Sequence, residues 1–222
     1  MRAVSAAQMR EIDRRAREEF RIPEGVLMEH AGAAAARAAR RLYNPGKRGA
    51  EAVVLAGGGA NGGDGFVAAR HLANWGIPVC VVLLADAEKI RGAAQMNWEI
   101  LRRLRLPLWE AASVASWRRW VRRGIRPGVA VDAMLGTGTS GAVREPVASA
   151  IRWVNRQRCP VIAVDIPSGL SADTGRPCGA AVKASVTVTF GLPKIGLSRG
   201  QGRRLSGRVQ VADISLPKAL IS

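Results

Sequence analysis

Apolar residues at Met9, Ile12, Ala16 and Phe20 follow the spacing of one helix face, behind Ser5, a residue type that caps helices. Pro23 interrupts the pattern. A second helical pattern covers about 24–43, with Leu27, Met28 and an alanine-rich face, until Asn44-Pro45-Gly46 stops it. The period then changes. Ala52-Val53-Val54-Leu55-Ala56 is a short continuous apolar run, as in a strand buried on both faces. It predicts a strand, then a glycine loop over 57–65, then a helix from Phe66 through Leu72. Gly76-Ile77-Pro78 ends that helix, and 79–84 reads as a second strand. Helical patterns follow at about 91–104 and 113–123, the latter with Trp117, Trp120 and Val121 on one side. A short strand at 129–131 ends at Asp132, and a helix is expected at about 145–156. The strand at 161–164 ends at Asp165 and turns through Ile166-Pro167-Ser168-Gly169, and 185–190 and 209–211 complete the set.

Strands alternating with helices predict an α/β chain with a mostly parallel sheet covered on both faces. Three junctions then fall on one edge of that sheet: Asn61 and Asp64, Asp132, and Asp165 with Ser168. Ligands bind at that edge in open α/β sheets. Taken singly, Asp64 reads equally as a helix cap, and an aspartate after a strand as a turn residue. Three polar, glycine-bearing junctions together are better explained by a shared site.

The glycine tract Gly57-Gly58-Gly59-Ala60-Asn61-Gly62-Gly63-Asp64-Gly65 leaves unpaired amides at a helix N-terminus, which favours anions. Asn61 and Asp64 are more than a phosphate cradle requires. Gly57, Gly59 and Gly62 satisfy G-x-G-x-x-G, with Asp86 after the next strand, but so glycine-rich a tract fits almost any register. No Gly-Lys-Ser/Thr follows, which excludes a Walker A loop.

Composition narrows the picture. The 222 residues, 48% of them hydrophobic, fit a single domain over 1–222 with a packed core. No apolar run approaches the ~20 residues of a membrane helix. Glu11, Asp13, Glu18 and Glu19 argue against a transit peptide, and no signal-peptide core precedes them. Cys80, Cys159 and Cys178 are odd in number and lack metal-ligand spacing, so reduced thiols in a cytoplasmic protein are expected. The net charge of +17 attracts polyanions such as RNA, and equally phosphorylated small ligands. The excess is arginine on predicted helix faces, with no aromatic-interleaved RNA motif, so a solvated basic surface is the simpler reading.

Several motifs occur in one order along nearly the whole chain: 7–13 (Ala-Gln-Met-Arg-Glu-Ile-Asp), 27–32 (Leu-Met-Glu-His-Ala-Gly), 61–65 (Asn-Gly-Gly-Asp-Gly) and 68–72 (Ala-Ala-Arg-His-Leu). Further on come 132–138 (Asp-Ala-Met-Leu-Gly-Thr-Gly), 165–170 (Asp-Ile-Pro-Ser-Gly-Leu), 172–175 (Ala-Asp-Thr-Gly) and 189–194 (Thr-Phe-Gly-Leu-Pro-Lys). In these the sequence resembles the YjeF N-terminal-domain family, the NAD(P)H-hydrate epimerases. The resemblance implies a Rossmann-like three-layer αβα sandwich, often a homodimer, that interconverts the R and S forms of hydrated NADH and NADPH (NADHX and NADPHX). A separate dehydratase would take the S form. It implies a potassium ion (K+) with Asn61, Asp132 and Ser168 at the side-chain ligand positions, and oxygen-only ligation suits a hard cation. The substrate-binding segments match Ala60, Asn61, Gly62, Gly63 and Asp64, then Gly136, Thr137, Gly138, Thr139, Ser140, Gly141 and Ala142, with Asp165.

Epimerising C6 needs a positioned proton donor and acceptor, and Asp165 is the candidate, against the alternative of a turn-stabilising aspartate. The amides of 136–141 would take the pyrophosphate. Lys194 could assist electrostatically, but an exposed loop lysine is the simpler expectation. Two positions depart from the family pattern: Ala60 stands where a second asparagine is usual, and His30 replaces an asparagine. Two other readings compete, a non-catalytic nucleotide- or RNA-binding scaffold of the same fold and an ordinary NAD-dependent dehydrogenase. The last ranks lowest because no residues supply an acid/base pair for hydride transfer.

Overall fold

The apolar runs lie side by side. A computed structural model describes residues 2–46 and 50–221. Its strands are β1 (Glu51–Ala56), β2 (Val79–Leu83), β3 (Leu108–Glu110), β4 (Pro127–Ala133), β5 (Val161–Val164), β6 (Val186–Phe190) and β7 (Arg208–Ala212). They form one sheet in the order β3-β2-β1-β4-β5-β6-β7, with every neighbouring pair parallel. The helices are α1 (Ala6–Glu18), α2 (Glu24–Leu42), α3 (Ala60–Asn74), α4 (Gly92–Arg103), α5 (Val114–Val121) and α6 (Val147–Val154), with the single turns α7 (Gly202–Leu205) and α8 (Lys218–Ile221).

Alternate residues of each strand feed two cores, which is why the central strands read as unbroken apolar runs. Ala52, Val54 and Ala56 pack on one face with Phe66, Leu72, Ala35 and Trp98 from α2, α3 and α4. Val53 and Leu55 pack on the other with Trp117, Trp120, Ile151 and Val154 from α5 and α6. The result is the expected three-layer αβα sandwich. Glu29 on α2 ties the first layer together by pairing with both Arg70 and His71 on α3.

Four expectations change. The strand β3 was not anticipated, because it has three residues and none is fully buried. Phe20 is 43% exposed, since α1 ends at Glu18 and the helical spacing has no face to continue on. The third helix begins at Ala60 rather than Phe66. Asp132 lies inside β4, not beyond it, as that strand runs from 127 to 133.

The order reverses between β1 and β4: β2 and β3 extend to one side, β5 to β7 to the other. At such a switch point the connections leave in opposite directions, and a crevice opens at the C-terminal strand ends.

Candidate functional site

The glycine tract makes that crevice by close packing. The Gly57 amide donates to the Ala133 carbonyl at 3.0 Å. A Cβ at Gly57 would lie 2.1 Å from the Met134 carbonyl oxygen, and one at Gly62 would lie 1.9 Å from the Gly57 carbonyl oxygen. Only glycine lets the first turn of α3 sit this low between β1 and β4. Because Gly59 is the cap residue and supplies no side chain, Asp64 does not cap the helix. It lies one turn inside, three residues from Asn61 and on the same side. Asp86, the acid of the apparent dinucleotide motif, caps the turn at 87–89 by accepting from the Glu88 amide and pairs with Lys89.

Below the crevice, Asp132 is fully buried, and Ser168 both donates its hydroxyl to Asp132 Oδ1 and gives its amide to Oδ2 at 2.8 Å. The Leu135 amide donates to Ser168 Oγ at 2.8 Å, while the Leu135 carbonyl accepts from Asn61 Nδ2 at 3.0 Å. So Asn61, Asp132 and Ser168 meet beside one residue, Leu135, although they come from α3, β4 and the turn after β5. Among the described residues no cationic side chain pairs with Asp132. Burial pushes its pKa up to about 6, against the hydrogen bonds from Ser168.

Asp165 is held differently. It follows β5 with φ of 62°, a left-handed backbone that aspartate tolerates better than most residues. Its Oδ1 accepts from the Phe190 amide and Thr189 Oγ1, each at 3.2 Å, and from Lys194 Nζ. Oδ2 takes none of these bonds. Lys194 is 1% exposed and gives its remaining protons to the Phe190 carbonyl at 3.0 Å and Thr189 Oγ1 at 3.2 Å. The expectation of an exposed loop lysine is therefore overturned. The chain near the N-terminus fixes this loop, with Val4 bridging to Lys194 and its carbonyl accepting from the Ile195 amide at 2.9 Å.

A cavity of about 1320 Å³ opens over these groups. Of the expected substrate-binding residues, Ala60, Asn61, Gly62, Asp64, Gly136, Thr137, Gly138, Thr139, Ser140, Gly141, Ala142 and Asp165 line it. Gly63 does not; a Cβ there would meet the Met28 side chain at 2.6 Å. Asp132 and Ser168 lie beneath the cavity wall, each 0% exposed. The sequence reading missed Asp13 and Glu24 and set Lys194 aside, and all three line the same space. Asp13 had a readable signal: it closes the 7–13 motif and stands four residues after Met9, another lining residue. Burial raises the Asp13 pKa to about 6 despite the opposing Lys194 charge. Asp64 is pushed well above the usual carboxylate range, by burial first and then by the charges of Asp165 and Asp13.

Known proteins share this arrangement of elements. Residues 24–196 match the family described as YjeF-related protein N-terminus. The chain belongs to that family. The bifunctional NAD(P)H-hydrate repair enzyme Nnr of Moorella thermoacetica is 41% identical over 222 residues, covering 100% of this chain and 42% of that protein. This member of the YjeF family thus spans less than half the length of its bifunctional relatives. The NAD(P)H-hydrate epimerase of Cenarchaeum symbiosum is 42% identical over 193 residues, 86% of this chain and 85% of that one. The crystal structure of the yeast protein ynu0 superimposes with a TM-score of 0.79 at 25% identity, covering 95% of this chain and 87% of that one.

Proposed function

We propose that this chain is an isomerase that interconverts the R and S hydrates of NADH and NADPH, with Asp165 as a proton-transfer group. The observation that carries the reading is the Asp165 carboxylate. One of its oxygens is anchored by Lys194, Thr189 and Phe190, and the other is left unengaged at a cavity large enough for a dinucleotide. Relatives that bear the epimerase name and match most of this chain support it.

Epimerisation exchanges the C6 hydroxyl between the two faces of the ring, so a group must supply and recover a proton at that oxygen. Asp165 Oδ2 is available for this. Lys194 is a positioning residue: its three protons are committed, and it fixes the carboxylate without donating to substrate. The irregular segment at 136–141, which lies along the cavity, offers amides for the pyrophosphate.

Potassium fits the residues beneath the cavity. Asp132 supplies a buried carboxylate with no cationic side chain opposite it among the described residues, and Asn61 Oδ1, Ser168 Oγ and the Leu135 carbonyl are neutral oxygens in the same cluster. One carboxylate among neutral oxygens suits a monovalent hard cation. Among the described residues no group of three or more His, Cys, Asp or Glu is arranged to hold a metal ion, so a cation here would rely on one carboxylate and neutral oxygens. When bound, the ion would compensate Asp132 and stiffen the turn at Leu135. A homodimer, a cytoplasmic setting and a dehydratase acting on the S product complete the proposal. Among the described residues, no helix is long and apolar enough to cross a membrane.

Incubation with purified R-NADHX, followed by chromatography of the R and S forms, tests the reading. Conversion well above the spontaneous rate is expected. No acceleration, with salt-sensitive RNA binding instead, would favour the scaffold.

A further inference from the structure

Asp64, expected to bind substrate, has no proton-transfer part in the scheme above, yet its surroundings suit one. Its side chain lines the cavity and the residue is 9% exposed. Among the described residues no donor hydrogen-bonds to its carboxyl and no cation pairs with it. The charged groups facing it are Asp13 from α1, Glu24 from α2, Asp165 after β5, and Lys194. Three of the four are acidic, and the lysine is already bound to Asp165, Thr189 and Phe190. Burial and the acidic neighbours both favour the neutral, proton-bearing form. The cavity therefore holds two carboxyl groups in opposite surroundings: Asp165 bonded to its lysine, Asp64 facing other acids with no donor of its own among the described residues. Two carboxyl groups in such different surroundings suit donor and acceptor roles.

We propose that Asp64 is the catalytic acid that protonates the departing C6 hydroxyl, and that Asp165 takes the proton when water returns. This rests on the epimerase reading. In the first step Asp64 gives its proton to the hydroxyl, and the C6–O bond breaks with its electron pair on oxygen, releasing water. The N1 lone pair forms the N1=C6 bond. One neutral acid and one neutral ring become a carboxylate and a cationic iminium. The new charge on Asp64 thus appears beside the new positive charge on the ring, so the attraction exists only as the barrier is crossed. Water then adds to C6 from the other face, the N1=C6 electron pair returns to N1, and the released proton goes to Asp165. Exchange with solvent through the open cavity resets both groups.

Asp64→Asn tests this, because it keeps the shape and removes the proton. The turnover number for R to S should fall by roughly 100-fold or more, the scale of a lost general acid. The loss should fall on the turnover number much more than on the binding of intact NADPH, as for an interaction made in the transition state, and the melting temperature should not drop. Wild-type turnover should decline on the alkaline side as Asp64 loses its proton, and the residual activity of the variant should lack that limb. An active wild type whose Asp64→Asn variant keeps its turnover and its alkaline limb overturns the role of Asp64 alone. An inactive wild type overturns the epimerase reading and this role together. If the variant does not fold, the wild type decides. A protonated-carboxylic-acid infrared band that titrates together with the alkaline limb supports the proposal, and the lack of such a band overturns it.

Discussion

Asp132 and Asp165 are carried by the adjacent strands β4 and β5, at the same rim of the sheet, yet the protein holds their charges by opposite means. Asp132 is surrounded by neutral donors, the Ser168 amide and hydroxyl and the Met134 amide. Asp165 has a full counter-charge in Lys194, with an amide and a hydroxyl added. Neutral donors leave a net negative charge in the protein, which suits a place where a cation can complete the set. A built-in lysine neutralises the charge and fixes one oxygen, which suits a place where the second oxygen must act repeatedly. The two aspartates differ in what is left over: at Asp132 a charge, at Asp165 a free oxygen.

The largest expected effect breaks the second arrangement. Lys194→Met leaves the Asp165 carboxylate uncompensated, and it should lower the unfolding free energy by about 3 kcal/mol in denaturant titration. Adding Asp165→Asn to that variant should restore part of the loss. A loss in the double variant equal to the sum of the two single losses would show that the pair is not coupled. Next, Asp165→Asn alone should reduce turnover by about 100-fold while lowering stability less than Lys194→Met does. Undiminished turnover would exclude Asp165 from proton transfer.

Smaller effects sharpen the first arrangement. Asn61→Ala removes the hydrogen bond to the Leu135 carbonyl, at a cost of about 1 kcal/mol. Potassium is expected to raise the melting temperature of the wild type, and Asn61→Ala should abolish that rise; an unchanged rise would remove Asn61 from the cation site. The smallest effect concerns pH. Asp13 has a pKa raised to about 6 in the folded protein, so between roughly pH 4 and 6 the folded state holds more proton than the unfolded one. Its contribution to stability therefore falls as pH rises through that window. The stability advantage of Asp13→Asn over the wild type should grow across the window and level off above it, and a flat difference would contradict the assignment.

Much of the site could be read beforehand because its parts are local. The tract at 57–65 announces a tight strand-to-helix passage. The motifs at 132–138 and 165–170 place an aspartate beside a turn, whatever surrounds them. What the local pattern misstated was the purpose of the glycines. In the fold, Gly57 and Gly62 let backbones touch, and the helix starts six residues earlier than the apolar pattern suggested.

By itself, the sequence determined the alternation of buried strands and helices, hence a parallel sheet with covered faces, and it determined which strand-end junctions would carry Asn61, Asp64 and Asp165. These follow from side-chain period and turn chemistry, which act over a few residues. Only the tertiary structure decided that Lys194 is buried against Asp165, that Ser168 reaches back to Asp132, and that Asp13 from the first helix faces both Asp64 and Asp165. Those meetings depend on which strands become neighbours and on where the segment around Val4 docks. A lysine in a loop looks the same in sequence whether it ends in water or against a carboxylate. The difference is set by what packs over it.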